Sequence, residues 1–134
     1  MHAFSHVLLI DRDTTATFLH QRLVERGSIA PHIASATTDE EAITLLQDVV
    51  SAGAAGLNVL ALVSYAWPFY LGFFAAYEQL EQQRQKAIHL TLLTPDLFLD
   101  KPAHVAAVPF VGVVIRPLTK DKLQQVVSQV LASA

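Results

Sequence analysis

A chain of 134 residues can supply one domain with a substantial core. Its net charge is only −3, which gives no basis for a nucleic-acid or anionic-membrane partner. It contains no cysteine, so disulfides, thiolate metal sites and thiol nucleophiles are excluded.

Residues 6–10 (HVLLI) read as a first strand, apolar on both faces. No signal peptide is expected there, because the apolar run is short, lacks a basic leader and stops at Asp11. A helix follows over 14–26, carrying Phe18, Leu19 and Leu23, with Gly27 as the expected C′ residue. The more polar stretch 31–36 (PHIASA) reads as an edge strand. The next helix, 38–50, opens with a capping box, Thr38 and Glu41, and places Ala42, Leu45, Leu46 and Val49 on one stripe.

From 49 to 77 no residue is charged, a stretch long enough for the ~20 apolar residues of a membrane span. Gly53, Gly56, Asn58, Ser64 and Pro68 interrupt it, so a doubly buried strand at 57–63 and a helix at 68–85 explain it better. The strand 88–93 (IHLTLL) comes next. Pro102 interrupts 96–107, where a short or broken helix is expected. The strand 111–115 (VGVVI) and the helix 119–131, with Leu123, Val126, Val127 and Val130 inward, complete the chain.

Five βα units in succession predict a single three-layer α/β domain over 1–134, with right-handed crossovers. Ligands of such sheets bind beyond the carboxyl ends of the strands. The residues expected there are Asp11, Arg12 and Asp13, then Ser64, Thr94 and Arg116.

These residues, in this order, resemble the receiver domains of two-component response regulators over essentially the whole chain. LLIDRD at 8–13 is similar to the family's strand ending in an acidic cluster. SYAWPFYLG at 64–72 has the spacing of its phosphorylation loop, with proline four residues after the acceptor position and glycine four after that. Leu93-Thr94 resembles the hydroxyl residue that closes the fourth strand, and Arg116-Pro117 the lysine–proline pair, whose bond is usually cis. FLHQRL and YEQL look most like the stand-alone receivers of Bacteroidetes-type bacteria. The resemblance implies a flavodoxin-like fold, a five-stranded parallel sheet of order 2-1-3-4-5, cytoplasmic location and a role in phosphorelay signalling.

The departures from the family lie in the site. Ser64 stands at the phosphoacceptor position, Arg12 at the second position of the acidic pair, Asp13 one place beyond it, and Arg116 at the lysine. Val113 replaces the aromatic switch residue, whereas Asp11, Thr94 and Pro117 keep the family's type. The four core positions total −2 in the family and +1 here, so Mg²⁺ binding and phosphorylation are expected to be lost. At least one of Arg12 and Arg116 is expected to turn inward and pair with Asp11 in place of a metal. No histidine is predicted beside Ser64 to act as its base.

The implied function is a pseudo-receiver without catalysis, cofactor or metal. It would bind a signalling protein such as a histidine kinase, or itself, through the face of the fourth helix (96–107), fifth strand and last helix. Val113, Pro102, Pro109 and the apolar run 105–111 lie on that face. Two alternatives stay open: a receiver phosphorylated on Asp13, and a small flavodoxin-like ligand binder using Thr14, Thr15 and Thr17. Plainer readings also exist: Ser64 as a satisfied turn residue, Thr94 as a cap, the arginines as solvated charges. The aromatics are expected in the core, with Trp67, Tyr70 or Phe74 left partly exposed, and the six histidines show no metal-ligand spacing.

Overall fold

Side chains alternate across the sheet along its first strand, β1 (His6–Ile10). Leu8 and Ile10 enter one apolar cluster while Val7 and Leu9 enter a second on the opposite face. The same division holds in β3 (Val59–Ser64), every residue of which is buried, and in β4 (Ile88–Thr94). The edges are β2 (His32–Ala36), more polar as expected, and β5 (Gly112–Ile115). All pairings are parallel, and the order is β2-β1-β3-β4-β5. This computed structural model describes residues 3–51, 56–65, 70–95 and 110–133.

Helices cover both faces. The first cluster packs under α2 (Asp39–Ser51) and α3 (Leu71–Glu78), the second under α1 (Thr14–Gly27) and α5 (Lys120–Ser133). A short α4 (Gln82–Lys86) precedes β4. Among the described residues no helix is long and apolar enough to cross a membrane. The expected segment 96–107, with Pro102 inside it and Pro109 after it, lies outside the described residues.

Local chemistry explains most element ends. Glu41 N–H donates to Thr38 Oγ1 at 3.1 Å, and Thr38 N–H returns the bond to Glu41 Oε1 at 3.2 Å, the expected capping box. Helix α1 ends one residue later than expected. Ser28, not Gly27, takes the left-handed conformation, at φ 51°, and its N–H reaches Glu25 O at 3.1 Å. The expected continuous helix 68–85 is instead two, α3 and α4. Gln85 accounts for the break: its amide donates to the carbonyls of Tyr77, Glu78 and Leu80 at 3.3, 3.0 and 2.9 Å, satisfying the open end of α3.

The start of α3 is held from α2. Asp39 accepts from the Gly72 and Phe73 amides at 2.8 and 2.9 Å, so a carboxylate of one helix caps the next. Gly72 is required for this approach, because a Cβ there would lie 2.6 Å from Asp39 Oδ2 and 2.8 Å from Ile43 Cδ1. Gly72→Ala is therefore expected to cost about 1–3 kcal/mol of stability, measured by urea unfolding, despite its better helix propensity.

Candidate functional site

Asp11, Ser64, Thr94 and Arg116 converge at the carboxyl ends of β1, β3, β4 and β5. The first three are almost fully buried, at 4%, 3% and 1% exposure. Strand pairing sets their positions: Asp11 N–H donates to Ala36 O at 3.0 Å, Tyr65 N–H to Leu93 O at 2.7 Å, and Arg116 N–H to Thr94 O at 2.8 Å.

Arg116 turns inward. Its Nη2 lies 2.7 Å from Asp11 Oδ2 and also donates to Ser64 Oγ. The other Asp11 oxygen, Oδ1, accepts from Asp13 N–H at 2.9 Å. One planar guanidinium thus closes the floor of the site, tying the acid of β1 to the hydroxyl of β3. The loop that carries it is latched by Lys122, whose Nζ donates to the carbonyls of Ile115 and Pro117 at 2.7 and 3.1 Å. The Arg116–Pro117 bond is cis.

Arg12 and Asp13 do not join this cluster. Arg12 is exposed and borders a cavity of about 410 Å³ with Thr37, Thr38, Asp39, Glu40, Tyr70 and Leu71. The +1 total therefore overstates the inner site, where one acid meets one guanidinium. Asp13 is the N-cap of α1, accepting from Thr15 and Ala16 amides at 2.9 and 3.2 Å. Those amides would be needed to cradle a phosphate, and Thr17 Oγ1 is likewise spent on Asp13 O at 2.9 Å.

The aromatics differ from expectation as well. Phe73 and Tyr77 face the sheet as foreseen, but Tyr70 and Phe74 are buried too, Phe74 edge-on against Phe110. Trp67 lies outside the described residues. The Tyr70 hydroxyl is buried without a hydrogen-bond partner among the described residues. Its pKa is pushed up to about 12, first by burial and then by the Asp11 charge.

A histidine does stand near this site, contrary to expectation. His20, buried on α1, has its pKa lowered by burial first and then by Arg116, with Asp11 and Asp13 acting the other way. His6 and His89 are lowered as well, each chiefly by burial. Groups whose folded pKa lies below the ordinary 6.5 leave stability unaffected above that value. As pH falls from there toward the folded pKa values, the unfolded chain takes up protons first and stability drops. Denaturant midpoints should therefore fall as the pH drops below about 6.5, and His20→Gln should flatten that slope.

Mg²⁺ can be tested against the donor set. Both Asp11 oxygens are engaged, the Ser64 hydroxyl meets a guanidinium, and among the described residues no second carboxylate joins them. A small hard cation needs anionic oxygens with free lone pairs, so these residues do not fit Mg²⁺.

No protein-family model matches the chain. No curated protein sequence matches it either. Solved structures do. A two-component response regulator from Cytophaga hutchinsonii aligns with a TM-score of 0.77 and 23% identity, covering 96% of this chain and 98% of that one. A response regulator receiver protein from Dyadobacter fermentans gives 0.76 and 13%, covering 94% and 97%. The chemotaxis protein CheY4 of Vibrio cholerae gives 0.69 and 17%, covering 95% and 98%. The fold is that of the response-regulator receiver domain, a flavodoxin-like α/β sandwich with the expected strand order.

Proposed function

We propose that this chain is a cytoplasmic pseudo-receiver, a signalling module that works by protein–protein contact without phosphorylation. The observation that carries this reading is the closed Asp11–Arg116–Ser64 cluster. It puts a hydroxyl where a carboxylate nucleophile is needed and a guanidinium where a metal would neutralise charge. Asp13 offers no substitute acceptor while its carboxylate caps α1.

The contact surface includes β5, the residue before it and the last helix, where Val113, Val111 and Leu131 are exposed. Val113, at the aromatic switch position, is 47% exposed and leaves that face ungated. A second face competes with it: Phe18 and Leu19 on α1 are each 56% exposed. The partner is a signalling protein, such as a histidine kinase, or a second copy of the chain. Light scattering over a concentration series, with and without acetyl phosphate and Mg²⁺, tests the reading. The same association profile is expected in both conditions, with Val113→Asp weakening it. A profile that changes with the phosphodonor would overturn the proposal.

A further inference from the structure

The amino-terminal end of the sheet, opposite the Asp11 cluster, carries two histidines side by side. The parallel register sets His6 of β1 against His32 of β2, and their rings stack with centroids 5.0 Å apart at 29°. His32 is exposed, whereas His6 is half-buried and held from behind.

That hold fixes which His6 nitrogen is available. Ser5 Oγ accepts from Asn58 N–H at 3.0 Å and donates its single proton to the Asn58 carbonyl at 3.1 Å. The Asn58 side chain is anchored in turn, donating to Ala3 O at 2.8 Å and lying 2.7 Å from His89 Nε2. With the hydroxyl proton committed, the 2.9 Å contact between His6 Nδ1 and Ser5 Oγ takes Nδ1–H as donor. The network therefore assigns the lone pair to Nε2, for which no hydrogen-bond partner is present among the described residues. An imidazole whose far N–H is held by a second group, with its other nitrogen bare, is the arrangement of a metal-ligating histidine.

We propose that His6 and His32 form a two-histidine site for a borderline divalent transition metal, of which Zn²⁺ is the probe. Among the described residues no group of three or more His, Cys, Asp or Glu side chains could hold a metal, so water fills the remaining positions. Imidazole selects Zn²⁺, Cu²⁺ or Ni²⁺ over the hard cations Mg²⁺ and Ca²⁺, so the site is chemically distinct from the Asp11 cluster. Bound metal would join edge strand β2 to β1 and stabilise the folded chain by mass action.

The test is a Zn²⁺ titration of the full chain carrying His2→Ala, which removes the competing His2 imidazole and leaves the Met1 amine without its chelating partner. It is followed by calorimetry and by ¹H–¹⁵N spectra of the histidine rings. One Zn²⁺ should bind per chain, with the His6 and His32 ring signals shifting together and those of His20 and His89 unmoved. Adding His32→Ala, an exposed position that leaves folding intact, should weaken binding by about tenfold or more. Zn²⁺ should also raise the melting temperature of the His2→Ala chain and not that of the double variant, and Mg²⁺ should do neither. No saturable binding, shifts confined to one ring, or unchanged affinity after His32→Ala would each overturn the proposal.

Discussion

Arg116→Ala should lower the unfolding free energy by about 2–3 kcal/mol, although a quarter of the Arg116 side chain is exposed. The loss arises at Asp11, whose side chain is only 6% exposed. Without the guanidinium, this carboxylate keeps a single donor among the described residues, Asp13 N–H, and the Ser64 hydroxyl loses its Arg116 contact. The figure stands below the ~3–5 kcal/mol of a fully buried pair, because water can reach part of the vacated space. Pairing Arg116→Ala with Asp11→Asn should recover much of the loss, since the second change removes the buried charge. Urea unfolding with an unchanged m-value checks both results.

The second large effect concerns restoration of a Mg²⁺ site. Ser64→Asp alone should not create one. Arg116 would lie between two carboxylates and bind both through its planar fork, so this variant should gain stability rather than Mg²⁺. Releasing the site requires Arg116→Lys, which exchanges the fork for a compact ammonium, and Arg12→Asp, which puts a short acid in the turn after β1. At ~4 Å and an effective dielectric near 20, a charge pair is worth ~4 kcal/mol before solvation is subtracted. Each carboxylate brought to the site should therefore raise Mg²⁺ affinity by about tenfold or more. Calorimetric titration of the single, double and triple variants gives the order. Tight Mg²⁺ binding by Ser64→Asp alone would show that Arg116 does not hold the site.

Much of this architecture was legible in the residues. The strand at 6–10 has the expected bounds, and the other strands differ by one or two residues, because uninterrupted Val, Ile and Leu runs mark doubly covered strands. The positions at the strand ends were legible too, since topology alone brings Asp11, Ser64, Thr94 and Arg116 together. The orientation of side chains was not. Arg12 and Arg116 are equal candidates on paper. Arg116 follows an edge strand whose loop Lys122 folds inward, whereas Arg12 projects toward the α2 loop. His20 reaches the neighbourhood of the site only because α1 packs back across β1. The break between α3 and α4 was hidden because Gln79, Leu80 and Glu81 are ordinary helix formers, and the Gln85 amide that ends α3 acts through tertiary geometry. The His6–His32 pair depends on strand register, which spacing along the chain does not reveal.

Intact-mass measurement after incubation with acetyl phosphate and Mg²⁺ tests the pseudo-receiver reading most directly. With Asp11 bound to Arg116, Asp13 capping α1 and a hydroxyl at position 64, the mass should be unchanged at every donor concentration. A stoichiometric gain of one phosphoryl group, lost again in Asp11→Asn or Asp13→Asn, would show that the chain is a working receiver and contradict the account.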